Sequence, residues 1–508
     1  MASGEGKDGK VGKDGKDGKD GKDGALTAAL ETIPRWLAFQ MRQHQQPGCS
    51  VAIVRNGRLV SEDAFGHADI VRAEVLTPRH RFRVASHSKT FTATAVMKLR
   101  EQGRCGLDDP IGRYVSGLHP DVAAATLAQL LSHSAGLVRD GDDAGQWAER
   151  RPFLNETELR ADLAGGPVIV AGTRFKYSNH GYGLLGLAIA AITGESYAAW
   201  TAREVVAASG LTETTPDAPL PPGTPLAHGH SGVWPVGRRV VIPAALGTHA
   251  LGSATGFVST AADLARFMAS LAPDAARSVL QPASRREMAR RQWRDPHGSV
   301  ERWYGLGTLS SSLAGADATW DSFGHTGGFP GTVTRTVCVP AQGLAVSVLT
   351  NASDGLSHVW LDGVLHILRA HLQHGGPSPQ TAPWRGRWWS LGGAADLLPV
   401  GDRVLVANPG LPNPLQDASE ITVQGTAEST AESDAYLGAN AGRVPDTLSG
   451  RITQAGGYAS HGEPAQLSLD ASGRATALKL GGMLYKPEAE VAAELLLRYV
   501  TQPEMAAV

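Results

Sequence analysis

Two strand patterns, residues 49–55 and 58–65, stand at one end of a long helical stretch, and two more, 331–339 and 344–350, stand at the other. A lone hairpin is barely stable in water, so strands at both ends with helices between them suggest layers of sheet and helix packed together. The first pair flanks Asn56-Gly57, the residues that a primed two-residue turn demands. Between the strand pairs, residues 86–102 place Phe91, Ala95 and Leu99 at every fourth position, with Gly103 as a stop, which predicts a helix with one apolar stripe. Further helical patterns cover 184–192, 197–208 and 260–271, the last opened by Thr260-Ala-Ala-Asp263. Residues 358–373 read as a helix able to cover the second strand pair. The expected class is α+β, a sheet-and-helix sandwich.

Composition marks the ends of that unit. Residues 6–24 repeat glycine at every third position, mostly as Gly-Lys-Asp and without proline, so they read as a solvated flexible tail rather than a collagen strand. At Gly375 the run Gly-Gly-Pro-Ser-Pro-Gln-Thr-Ala-Pro breaks the pattern, and short β-like segments follow to Tyr485. The expected division is a tail 1–24, a main domain 25–375 and a small β-barrel or sandwich domain 376–508. Trp384, Trp388 and Trp389 open that last domain and read as its core.

Charge and cysteine usage narrow the function classes. Lys plus Arg (47) against Asp plus Glu (49) leaves a formal charge of −2, so no basic field is available for nucleic acid. No run approaches the roughly 18 apolar residues that span a bilayer, so no membrane partner is expected. The start shows no basic segment followed by an apolar one, and a cytoplasmic location is the simplest expectation, with export left open. Cys49, Cys105 and Cys338 lie too far apart in sequence to suggest a zinc site, and His228-Gly-His230 reads as turn histidines. No metal and no cofactor is expected.

Three short motifs stand in order. In Ser86-His-Ser-Lys89, helical spacing would hold the Lys89 amine beside the Ser86 hydroxyl one turn earlier. Serine needs a group to take its proton, and a buried lysine with a lowered pKa can do so where an arginine cannot. Six of the eleven lysines lie in the tail, so arginine is the default cation elsewhere and Lys89 is the more informative. In Tyr177-Ser-Asn179, a phenol could share a proton with the lysine and an amide could orient a substrate carbonyl. The third motif, His325-Thr326-Gly327-Gly328, is placed at the start of the strand 331–339, where small residues admit a substrate backbone and a free N–H could meet an oxyanion. Taken singly, each has an ordinary alternative: a helix cap with a surface lysine, a core tyrosine with a turn asparagine, a glycine-rich strand entry.

The ordered set resembles the serine β-lactamase and penicillin-recognising family, especially its D-peptidase, D-aminopeptidase and esterase branches. Phe82-Arg-Val-Ala-Ser86-His-Ser-Lys89-Thr-Phe-Thr-Ala, Leu107-Asp-Asp-Pro110, Leu130-Leu-Ser-His-Ser-Ala-Gly136-Leu, Gly172-Thr-Arg-Phe-Lys-Tyr177-Ser-Asn179 and Gly256-Phe-Val-Ser-Thr-Ala-Ala-Asp263 carry it, over about residues 30–373. The resemblance implies an antiparallel sheet flanked by helices with an inserted helical domain. It implies Ser86 as acylated nucleophile, Lys89 and Tyr177 as a coupled proton-handling pair, and Asn179 as a substrate-orienting group. The N–H groups of Ser86 and Gly328 would form the oxyanion hole, with His325, Thr326 and Gly327 beside the substrate. Typical β-lactamases of the family have lysine where His325 stands, whereas His-Thr-Gly is similar to D-peptidases, so strong β-lactamase activity is not expected. The expected function is a serine hydrolase that cleaves small amides or peptides through an acyl-enzyme. The alternatives are a carboxylesterase, an acyltransferase and a penicillin-recognising sensor. The C-terminal β domain resembles accessory domains of D-aminopeptidase-like relatives. Substrate stereochemistry and oligomeric state are not legible.

Overall fold

The computed structural model describes residues 14–234, 236–296, 301–314, 319–424, 446–456 and 460–500. The chain divides into two compact units, residues 44–361 and residues 1–43 with 362–508. The first of these units ends short of the composition break at Gly375, and the N-terminal helix Asp14–Gln43 falls in the second. That helix reaches back into the Gly-Lys-Asp segment as far as Asp14, so residues 14–24 are helical rather than the flexible tail expected of them. The remainder of the segment lies outside the described residues.

In the unit 44–361 the distant strand patterns meet. A nine-stranded antiparallel sheet runs, edge to edge, through Glu74–Val75, Arg58–Asp69, Gly48–Arg55, Leu344–Thr350, Thr332–Val339, Trp320–Phe329, Leu309–Leu313, Arg302–Tyr304 and Trp293–Asp295. Gly48–Arg55 pairs with Leu344–Thr350 in the register Val51 to Val348, both buried, so the join between the chain's two strand regions is inside the sheet rather than at an edge. Asn56 and Gly57 both take left-handed φ, 49° and 74°, which gives the hairpin the twist its strands need.

The helix opening at the first motif differs from its expected form. A single tight turn, Ala85–His87, precedes the helix Ser88–Glu101, and nearly every residue of that helix through Leu99 is buried, not one stripe. Phe91 stacks between Phe257 and Phe267, with ring centroids 4.2 and 3.9 Å away. The buried threonines stay satisfied because their hydroxyls donate to carbonyls: Thr92 to Ser88 O, Thr94 to Thr90 O, and Thr90 to Gly307 O. The helix is therefore central to the core, which holds its first turn rigidly.

The third motif also sits elsewhere than expected. His325 to Gly328 lie within the strand Trp320–Phe329 and pair with Thr336 to Val333 of the neighbouring strand, rather than leading into that neighbour. Two adjacent glycines look like a strand break in sequence. Here Gly327 is required by packing: a Cβ on it would come 2.2 Å from Val84 O and 2.4 Å from Thr334 Oγ1.

In the other unit, eight antiparallel strands follow one another in sequence order from Gly386–Ser390 to Met483–Tyr485. Trp389 N donates to Lys486 O and Lys486 N to Trp389 O, both at 2.8 Å, so the last strand returns to the first and the sheet is nearly a closed barrel. Trp384 and Trp388 are core, with Leu397, Val404, Ile421, Leu467 and Leu478. Trp389 is only half-buried and lies 5.7 Å from the ring of Phe39. Among the described residues no helix is long and apolar enough to cross a membrane.

Candidate active site

The first two motifs converge on one hydroxyl. Lys89 Nζ lies 3.0 Å from Ser86 Oγ, and the Tyr177 phenol donates to Ser86 Oγ at 2.8 Å. Ser86 is held out at this point by the residue before it: Ala85 has a left-handed φ of 47°, which a side chain with a Cβ resists at a cost of about 1–2 kcal/mol. Tyr177 ends a loop, and Ser178 then caps the helix Asn179–Thr193 by accepting from Gly181 N, which brings Asn179 to the start of that helix.

Three oxygens surround the lysine nitrogen, and burial decides which of its forms is favoured. Lys89 is fully buried, and burial holds its ammonium pKa well below the ordinary lysine value, opposed by Asp140 and aided by Arg139. A neutral amine has two N–H bonds and one lone pair. Asn179 Oδ1 at 2.7 Å and Ala254 O at 2.9 Å accept those two N–H bonds. The amide of Asn179 cannot be turned the other way, because its Nδ2 donates to Asp140 Oδ1 at 2.6 Å. In the uncharged form those two bonds leave a lone pair toward Ser86 Oγ, the third oxygen beside the nitrogen, whereas an ammonium would donate to all three. Burial also raises the Tyr177 pKa, so that phenol keeps its proton and donates it to Ser86 Oγ. Burial thus favours an uncharged amine and an un-ionised phenol on either side of the Ser86 hydroxyl.

Small residues permit this closeness. On the helix Asn179–Thr193, a Cβ on Gly186 would come 2.5 Å from Ser253 Oγ, in the segment Gly252–Thr255 that supplies Ala254 O.

The third motif borders the same cleft. The strand Leu309–Leu313 pairs with Trp320–Phe329 only as far as Gly324, so beyond that residue this edge of the strand carries no further strand. A cleft of about 390 Å³ is lined by Ser86, Tyr177, Asn179, His325, Thr326 and Gly328, and further by Arg139, Trp147, Phe175, Asp295, Arg302 and Leu309. Gly327 is turned into the packing against Val84, whereas a Cβ on Gly328 would meet nothing within 4 Å. His325 is buried and its pKa is driven well below 6.5, first by burial and then by His87 and Lys89. Its ring nitrogens are engaged, Nε2 with Tyr304 Oη at 2.9 Å and Nδ1 with the Thr326 N–H at 2.9 Å. It presents no cation to a substrate.

Several lining residues escaped the sequence reading. Arg139, Asp140 and Trp147 lie on a loop with no periodic pattern, where Trp147 Nε1 donates to Asp140 Oδ1 at 3.0 Å and Arg139 Nε approaches Asp140 Oδ2 at 3.0 Å. Arg302 pairs with Asp295 at 2.8 Å across the hairpin at the sheet edge. His230 stands elsewhere, its ring nitrogens meeting Asn351 O and the Ile70 N–H.

The antiparallel sheet with its helical region is the beta-lactamase fold. The Beta-lactamase family model matches residues 33–364, and the chain belongs to that family of serine hydrolases. The chain is 26% identical to Protein flp of Staphylococcus aureus (strain N315) over 189 residues, 36% of this chain and 38% of that protein. It is 29% identical to the putative penicillin-binding protein PbpX of Bacillus subtilis (strain 168) over 160 residues, 32% of this chain and 39% of that one. The chain thus spans about two fifths of the length of these curated relatives. The octameric penicillin-binding protein homologue from Pyrococcus abyssi superposes with a TM-score of 0.60 at 21% identity, covering 90% of this chain and 100% of that chain. The D-amino acid amidase from Ochrobactrum anthropi SV3 gives 0.57 at 23% identity, covering 68% and 99%. At these identities the solved structures establish the fold alone.

Proposed function

We propose that this protein is a serine amidase or peptidase that cleaves small amide bonds, including those of D-amino acid amides, through an acyl-enzyme on Ser86. The observation that carries this reading is the buried Lys89 nitrogen, held by Asn179 Oδ1 and Ala254 O at 3.0 Å from Ser86 Oγ in surroundings that favour its uncharged form. Ser86 Oγ attacks the substrate carbonyl carbon as its proton passes to Lys89 Nζ. The developing oxyanion is received by the N–H groups of Ser86 and Gly328, and the positive end of the helix Ser88–Glu101 adds to their effect. The C–N bond then breaks, and the leaving amine takes a proton from the Lys89–Tyr177 pair. Water adds to the acyl group, returns a proton to the same pair, and the carboxylic acid leaves as Ser86 regains its hydrogen. Asn179 holds the lysine and reaches the cleft floor, while Trp147, Phe175 and Leu309 offer an apolar wall to the acyl group. The preference for D-substrates is taken from the amidase of shared fold and from the D-stereospecific amidohydrolase of Streptomyces, which has a TM-score of 0.54.

A panel of D-amino acid amides, D-Ala-D-Ala peptides, p-nitrophenyl esters and a chromogenic cephalosporin, followed by intact mass spectrometry, tests the reading. An acyl adduct on Ser86, with Ser86→Ala lowering kcat by roughly 10³-fold or more, is the expected result. Full activity in Ser86→Ala, or an adduct elsewhere, would overturn it. Turnover of esters alone would point to a carboxylesterase, an adduct never released to a sensor, and product that requires an added amine to an acyltransferase.

A further inference from the structure

The stretch Leu130-Leu-Ser-His-Ser-Ala-Gly136 has no part in the steps above, yet its histidine lies directly under Tyr177. His133 follows the short helix Leu127–Leu131 and its cap Ser132, at a position where the chain turns with a left-handed φ of 58°. Glycine is the unstrained choice at such a place, so a histidine there is retained for its side chain. That side chain is 2% exposed. It brackets Tyr177 on both sides in sequence: His133 O accepts from Lys176 N at 2.7 Å, and His133 Nδ1 accepts from Ser178 N at 3.1 Å. Between those two bonds the imidazole faces the phenol ring with centroids 4.1 Å apart and planes 35° apart. Because Nδ1 accepts, the ring proton sits on Nε2, which is buried with no hydrogen-bond partner, and the imidazole centroid lies 4.6 Å from that of Tyr304 and 5.1 Å from that of Tyr182. The ring's hydrogen bond is therefore the one that fixes the residue after Tyr177.

We propose that His133 is a positioning residue for Tyr177, holding the phenol oxygen against Ser86 by a clamp of two backbone bonds and one ring face. This inference rests on the acyl-enzyme reading of Ser86. Burial keeps the imidazole uncharged, and the Arg139 charge adds to that effect, so the clamp brings no positive charge against the amine that must stay neutral. His133→Asn keeps an acceptor and tolerates the left-handed backbone but removes the ring face. His133→Phe keeps a ring and removes the acceptor.

The test measures kcat and KM per acylatable site, with sites counted by the mass of the Ser86 adduct, so that loss of folded protein does not register as loss of rate. Both variants should lower kcat roughly 10- to 100-fold with KM within about twofold, the scale expected when a catalytic group is displaced by a fraction of an ångström to an ångström. In a Tyr177→Phe background the same substitutions should cost less than about twofold, since the group they position is gone. An unchanged kcat per site in either variant that folds, or full additivity with Tyr177→Phe, would overturn the assignment and leave His133 as packing. A Ser86→Ala protein that remains active would instead remove the acyl-enzyme reading, whatever the histidine variants do.

Discussion

Lys89 carries the site's dependence on proton concentration. Its ammonium form is disfavoured by burial, so the amine loses its proton at a pH well below the ordinary lysine value. Because only the unprotonated amine can accept from Ser86, kcat/KM should rise with pH through that lowered pKa and reach its plateau below about pH 10.5. A limb centred at or above that value, with chemistry rate-limiting, would remove Lys89 from the mechanism. Lys89→Arg should reduce turnover by about 10³-fold at every pH, since a guanidinium cannot give up its proton; turnover that recovers in that variant at high pH would contradict the role. The same shift costs stability. Between the folded and unfolded pKa values the unfolded chain binds a proton that the folded one does not, so the part of stability linked to Lys89 rises with pH across that window. The meeting of Lys89 with Ser86 was legible from their three-residue spacing, and that of Tyr177 with Ser86 only from the family resemblance. Asp140 and Trp147 were not, because an irregular loop has no period, and their contacts to Asn179 and to each other are made only in three dimensions.

At the level of elements, the misplacement of the third motif has a physical origin. The residues Thr332–Val339 are β-branched except at Arg335 and Cys338 and announce a strand, whereas Trp320–Phe329 carries three glycines and announces none. Packing overrides that composition, because close approach to Val84 leaves no space for a side chain at Gly327. Gly327→Ala should therefore destabilise the unit by about 1–3 kcal/mol, the usual cost of overpacking, and move the segment before Ser86, with a matching fall in acylation rate. Gly328→Ala, whose Cβ meets open space, should leave the urea midpoint unchanged. Equal midpoints for the two variants would refute this account of the strand. The helix Ser88–Glu101 teaches the complementary lesson: its threonines look solvent-facing in sequence, but side-chain-to-carbonyl bonds let them be buried, so polarity alone underestimates how central it is.

The whole molecule reveals which large-scale features a sequence can announce. Strand patterns at the two ends of the helical stretch implied layers of sheet and helix, and the Gly-Pro run near residue 375 implied a change of architecture, because both depend on local composition. The placement of the N-terminal helix with residues 362–508 depends on packing that no local pattern records. Trp384 anchors that unit's barrel core, so Trp384→Ala should cost about 3–5 kcal/mol and speed amide exchange in Arg403–Ala407 and Ser419–Val423. Unchanged protection of those strands would remove Trp384 from the core. The broad sheet tapers to strands of two residues, Glu74–Val75, and three, Trp293–Asp295, at its margins, while the barrel clasps its first strand to its last at Trp389 and Lys486. Those stubs blunt the extreme margins alone: the strand Arg58–Asp69 is paired on that side only at His67 and Asp69, so the segment 58–66 is where a stranger's backbone would find a length to copy.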